Sequence, residues 1–188
     1  MRKLITLASF VALVMASCTN ETPADQTNAK GSVAFDLAVQ TEVDDTRANV
    51  SCTTPAAEAF DLTIEGVDLT YSKHYAAIAE FNEGDNYLRL GNYKATVTAG
   101  SLTEEGFDKA TFVGSADFAV VARANTDVNI TAYIANTLVK VETTEAFNEY
   151  FVGGAEFQIT TAAGNTFDLT GKTEPVFIAP AEFKITGT

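Results

Sequence analysis

Four apolar side chains at every second position, Val33, Phe35, Leu37 and Val39, alternate with Ala34, Asp36 and Ala38. That spacing commits the segment opening at Gly31 to a β-strand with one buried and one wet face. The period of two returns at Phe60, Leu62 and Ile64, and again at Tyr93, Ala95, Val97 and Ala99. Two more alternating runs follow, Phe112–Val121 with Phe118 and Val120 inward, and Asp127–Ile134 with Val128, Ile130 and Ala132 inward. Glu65-Gly66-Val67-Asp68 supplies the turn of a hairpin whose second strand would centre on Leu69 and Tyr71. No segment between these strands keeps a helical period for three turns, so the expected fold is all-β.

Gly91-Asn92 tolerates a left-handed backbone and precedes the Tyr93 strand. Gly91 and Tyr93 are therefore assigned structural roles, a turn and a buried ring whose hydroxyl bonds nearby backbone. A Gly-x-Tyr turn leading into a central strand resembles immunoglobulin-like and transthyretin-like sandwiches. After Ala135-Asn136 the cycle restarts. Leu138, Val139 and Val141 parallel Val33 to Val39; Phe157-Gln-Ile-Thr parallels Leu62-Thr-Ile-Glu; and the Phe183 strand parallels the Tyr93 strand. Glu145 to Phe151, preceded by Thr144, has the signature of a short capped helix. Tandem β-sandwich modules are expected at 31–135 and 136–188. The second is short of the two strands that follow Tyr93 in the first, so the expectation is either a fragment or a gap filled by another subunit's strand.

The start of the chain has a different logic. Arg2 and Lys3 precede an apolar run from Leu4 to Met15, and Ala16-Ser17 lead into Cys18. This is the layout of an exported, processed leader. Val-Met-Ala-Ser-Cys resembles a bacterial lipobox, which implies that residues 1–18 are a lipoprotein signal and that Cys18 carries the acyl groups, palmitate among them. Polar, aperiodic residues 19–30 then form a flexible tether. The expected address is the cell envelope, lipid-anchored at the outer membrane, with its leaflet and face left open. Residues Glu42 to Ala59 are too polar and broken for a strand and are expected to form a surface loop.

The formal charge is −13, and removing Arg2 and Lys3 with the leader would take it to −15. Nucleic acid is excluded as a partner, since it requires basic patches that displace counterions. Residues Glu80 to Asn86 read as an acidic loop, without the ligand spacing of a helix-loop-helix calcium site. Cys52 would be a lone loop thiol once Cys18 is acylated, and the single histidine, His74, would be an exposed residue at a strand's end. With no phosphate-cradling loop and no selected carboxylate pair, neither a catalytic set nor a cofactor or metal site emerges.

Gly31 to Leu37, Leu88 to Tyr93, Glu105-Gly-Phe-Asp-Lys109 with Phe112-x-Gly-Ser115, Ala132 to Val141, and Ala146 to Phe151 together resemble the DUF4493 family. That resemblance implies lipoproteins of gut Bacteroidota and brings no activity. Two non-enzymatic classes follow. One is a surface binding or adhesion module with a glycan or protein ligand. The other is a fimbrillin-like structural subunit assembling by strand donation, for which Thr46-Arg47-Ala48 resembles a processing site at Arg47. A carboxylate-based hydrolase ranks last.

Overall fold

The computed structural model describes residues 29–43, 48–49 and 52–188. The leader, Cys18, nearly all of the tether, and Arg47 lie outside the described residues. Among the described residues there are fourteen strands: β1 Lys30–Gln40, β2 Glu42–Val43, β3 Ala48–Asn49, β4 Asp61–Gly66, β5 Ser72–Tyr75, β6 Tyr87–Arg89, β7 Gly91–Ala99, β8 Phe112–Val120, β9 Asn125–Ile134, β10 Thr137–Val139, β11 Phe157–Thr161, β12 Thr166–Asp168, β13 Val176–Ile178 and β14 Phe183–Gly187. Among the described residues, two short α-helices, α1 Ile78–Asn82 and α2 Glu145–Tyr150, and a 3-10 turn at Ala57–Ala59 join them. The fold is all-β, as the period of two requires.

Seven strands form one sheet in the order β5-β4-β7-β8-β9-β1-β6. β7 and β8 pair antiparallel from Gly91↔Val120 to Ala99↔Phe112, but β8 meets β9 only at Phe112↔Ile134 and Val113↔Tyr133. Past Val113 the two strands part and the sheet folds over itself. At the parting, a Cβ on Gly114 would lie 2.6 Å from the Thr131 carbonyl oxygen and 2.9 Å from Ala132 Cα. Glycine alone permits so close a backbone approach. The fold brings Phe118 of β8 edge-on to Phe35 of β1, with ring centroids 5.6 Å apart. A sandwich-like core results, built from Val33, Phe35, Leu62, Ile64, Tyr93, Ala95, Val97, Val128, Ile130 and Ala132 among others. β1 runs parallel to β9 from Ser32↔Asn125 to Gln40↔Tyr133, while β6 covers its other edge only as far as Ser32.

Beyond Ser32, α1 takes over that edge. Ile78 and Phe81 are buried. The Asn82 side chain accepts from the Phe35 N–H at 3.0 Å and donates to the Phe35 carbonyl at 2.9 Å. One amide thus replaces a neighbouring strand for one residue of β1. The acidic loop expected at Glu80 to Asn86 is corrected here: its first three residues belong to this helix, whose five residues are too few to show a period. The hairpin's second strand is also displaced. β5 lies at Ser72–Tyr75 and pairs Leu62↔Tyr75 through Glu65↔Ser72. Leu69 and Tyr71 belong to the connection, because the Leu69 carbonyl is turned back to accept from the Tyr71 N–H at 2.8 Å.

The second half repeats the pairing of the first. β10 pairs antiparallel with β13 as β1 does with β6, and β11 lies between β12 and β14 as β4 lies between β5 and β7. The registers agree residue by residue: Ile64↔Ala95 and Gly66↔Tyr93 correspond to Ile159↔Ile185 and Thr161↔Phe183. Val139, Ile159, Leu169, Val176 and Ile178 form a second, smaller core. Among the described residues, no strands correspond to β8 and β9. The Phe183 strand is accordingly exposed along its length, unlike β7.

Candidate functional site

A concave surface lies on the three-stranded sheet β12-β11-β14. Along β11, Ile159 and Thr161 turn inward, so Gln158 and Thr160 turn out. Register places Asp168 and Thr186 on either side of Gln158. One step along, Glu156 and Thr188 exchange two backbone hydrogen bonds of 3.0 Å, and Thr170 joins them from the far side. Glu156, Gln158, Asp168, Thr170, Thr186 and Thr188, with Phe157 at one side, line a groove of about 370 Å³.

Its polar groups are pre-organised. The Thr170 hydroxyl accepts from the Phe157 N–H at 2.9 Å, and the Thr170 N–H donates to the Asp168 carboxylate at 2.8 Å. Hydrogen bonds from the Thr170 side chain and backbone hold the Asp168 carboxyl below the usual carboxylate range. The groove therefore presents a fixed anion, a second carboxylate, an amide and three hydroxyls. None of these residues stands out in the sequence as a site. The only signal was polar residues at every second position, which every solvated sheet face carries.

The residues chosen from sequence lie elsewhere. Tyr93 is 1% exposed. Its hydroxyl donates to the Arg89 carbonyl at 3.0 Å, its ring stacks on Phe118 at 5.5 Å, and it receives the edge of Tyr71 at 5.6 Å. Burial, reinforced by Tyr71, pushes the Tyr93 phenol up. Burial and a hydrogen bond with Tyr75 push Tyr71 up to about 12. Neither phenol can exchange protons usefully near neutral pH. Gly91 has φ +152°, and a Cβ there would lie 2.5 Å from Leu69 Cδ1, so Leu69 fills the space its missing side chain leaves.

Cys52 packs half-buried against the first core. Burial, and the Asp108 carboxylate behind it, push its thiol up, away from the reactive thiolate. His74 is exposed on β5, its Nδ1 3.3 Å from the Thr63 hydroxyl across the hairpin. Among the described residues, no three carboxylate, thiol or imidazole groups converge as a metal site would require. A second cleft of about 250 Å³ lies beside the α1-covered edge of β1, lined by Phe35, Leu37, Glu58, Ile78, Asn82 and Glu83 among others.

One carboxylate joins the two halves. Glu105, in the β7–β8 connection, accepts through Oε2 from the Thr161 hydroxyl at 2.7 Å and the Asn165 amide at 2.8 Å, and through Oε1 from the Ala179 N–H at 3.0 Å. Burial pushes its carboxyl up, but these three bonds together outweigh it and hold the group below its ordinary value. Gly106 and Phe177 exchange two backbone bonds beside it, of 2.9 and 3.0 Å.

No curated protein sequence matches the chain. Among solved structures, it is similar to a Bacteroides thetaiotaomicron VPI-5482 protein of the DUF1812 group that has been proposed to bind polysaccharide. The TM-score is 0.40 at 9% identity, covering 85% of this chain and 71% of that one. The family model for the domain of unknown function DUF4493 matches residues 29–188, and the chain belongs to that family.

Proposed function

We propose that this chain is a non-enzymatic binding module of the cell envelope, held to the membrane through lipid on Cys18, whose ligand is a glycan contacted in the β12-β11-β14 groove. The observation that carries the reading is the groove's lining. Carboxylates of Glu156 and Asp168, the Gln158 amide and hydroxyls of Thr170 and Thr186 line one wall beside Phe157. Fixed acceptors and donors of this density suit a polyhydroxylated ligand. Hydrolysis would need a carboxyl kept protonated, and Thr170 pushes Asp168 the other way. Anchoring through the acyl chain suits a protein of charge −13, which gains nothing electrostatically from an anionic bilayer.

The test is a glycan array on the chain without its leader, followed by calorimetry on each hit. Asp168→Asn and Gln158→Ala alter exposed side chains and leave the cores intact. Each should weaken binding by about tenfold, the scale of one charge-assisted hydrogen bond. Hits whose affinity ignores both substitutions would place binding outside the groove, and an array with no hits would favour a protein ligand. In cells, Cys18→Ser should move the protein from the membrane to the soluble fraction. Continued membrane association of that variant would remove the lipid anchor from the proposal.

A further inference from the structure

We propose that the end of the first half at which β1 begins is a membrane-facing surface, which meets the phosphate headgroups of an anionic bilayer through Lys30, Arg89 and Arg123 and places Val67, Leu69 and Val121 among them. The inference rests on the anchor at Cys18 proposed above and does not depend on what the groove binds.

Strand pairing gathers these six residues from distant parts of the chain. Lys30 opens β1 opposite Arg89, which closes β6. The Arg123 N–H donates to the Lys30 carbonyl at 2.9 Å, and the Leu90 N–H donates to the Ala29 carbonyl at 3.1 Å. On the other flank the Val67 N–H donates to the Asn92 carbonyl at 2.9 Å, Leu69 lies over Gly91, and Val121 follows Val120, the partner of Gly91. All six side chains are exposed, Val67 and Val121 by 61% and 59%. In the stretches 29–30, 67–71, 89–92 and 120–124, Asp68 is the one acid beside three cations. Basic side chains around exposed aliphatic ones are the composition of an interfacial contact, since Lys and Arg lay their stems along apolar surface and keep their charges in water.

Reach and charge select a bilayer as the occupant. Residues 19–29 separate Cys18 from Lys30. A coiled chain of that length spans about 20 Å and a fully extended one about 40 Å. An acyl group on Cys18 therefore delivers this end to the surface, while the far end of β1 at Gln40 lies about 30 Å farther along the strand. That opposite end holds Asp61 and the β7–β8 connection, where Glu104, Glu105 and Asp108 outnumber Lys109, and the second half leaves from it after Ile134. At physiological ionic strength charges are screened within about 8 Å, so headgroups at the near end meet the three cations and not the distant acids. The net charge of −13 still opposes capture of a free chain. The contact thus orients a chain that is already anchored, with the acidic end turned away from the lipid.

The chain has no Trp, so a single introduced one reports without background. The test uses the chain with residues 1–18 replaced by a hexahistidine tag, held on vesicles of phosphatidylcholine and phosphatidylglycerol that carry a nickel-chelating lipid and brominated acyl chains. Fluorescence of Val121→Trp should be quenched on these vesicles, and that of Val152→Trp, exposed in the second half, should not. Lys30→Glu, Arg89→Glu and Arg123→Glu together alter exposed side chains and should melt near the parent. In the Val121→Trp background they should lower the quenched fraction about fivefold or more, the scale of one basic residue at an anionic surface. If the triple reversal melts early, Lys30→Gln with Arg89→Gln should lower it in the same direction. Because the tag replaces Cys18, the outcome is independent of acylation, which Cys18→Ser tests in cells. Four results would overturn the proposal: equal quenching at positions 121 and 152, quenching at neither on vesicles that retain the protein, quenching that ignores the charge substitutions, or a Val121→Trp emission already shifted to the blue without vesicles.

Discussion

Removing the Glu105 carboxylate should loosen the junction between the halves more than any other single polar change. Glu105→Ala leaves three donors without their acceptor: the Thr161 hydroxyl, the Asn165 amide and the Ala179 N–H. Asn165 is exposed and water replaces its partner at little cost, but Thr161 is 6% exposed and cannot be resolvated so easily. Counting one charge-assisted bond in full and the Ala179 bond in part gives about 2–3 kcal/mol. In a chain of this size that lowers the melting temperature by about 4–12 °C. Glu105→Gln keeps the shape and loses the charge, and so isolates the ionic part. The folded carboxyl titrates below its ordinary value, so its contribution is present above the unfolded pKa and disappears as pH falls through the folded one. The melting difference between the parent and Glu105→Gln should therefore be full at pH 7 and shrink below about pH 4.5. Calorimetry at both pH values is the assay. A Glu105→Ala protein that melts with the parent at pH 7, or a Gln difference that grows with acidification, would refute the reasoning.

Three further outcomes are expected. Tyr93→Ala should cost about 3 kcal/mol or more by emptying a buried aromatic site, and Tyr93→Phe about 1 kcal/mol for the Arg89 bond, both read from denaturant midpoints. Gly91→Ala forces a side chain into φ +152° and against Leu69, so a loss of about 1–3 kcal/mol is expected, and an unchanged midpoint would contradict the geometry. Asn82→Asp removes the donor to the Phe35 carbonyl while keeping an acceptor, and faster amide exchange along β1, rather than a large fall in overall stability, should report it.

What was legible in the sequence was whatever repeats at short range. Alternation located the strands because burial on one face is the only state that rewards it, and the same logic matched Phe157-Gln-Ile-Thr to Leu62-Thr-Ile-Glu in a register that the pairing reproduces. Thr144 was readable as a helix cap, and its hydroxyl accepts from the Phe147 N–H at 3.2 Å. Most of what the sequence did not reveal depends on a distant partner. α1 is helical because Ile78 and Phe81 find a pocket under β1 and Asn82 finds Phe35, 47 residues away. Glu105 is structural because of donors 56 to 74 residues downstream. The groove residues look like any wet strand face until register lines them up. Alternation alone does not distinguish exposed Phe183 from buried Tyr93; the comparison of the two halves does, because the strands that follow Tyr93 have no counterpart after Phe183 among the described residues.

That difference explains why the β7–β8 connection reaches so far. The second core centres on Val139, Ile159, Leu169, Val176 and Ile178, closed on one side by a sheet whose strand β14 is exposed among the described residues. A core this small offsets little of the entropy of ordering its chain. The first half supplies part of what is missing. Phe107 packs against the second cluster and meets the Phe167 ring edge-on at 6.3 Å. Gly106 extends the backbone pairing to Phe177, and Glu105 pins the β11–β12 turn and Ala179 at once. Three consecutive residues thus contribute an ionic clamp, a backbone bridge and an apolar wedge. The second half's order is therefore conditional on the first.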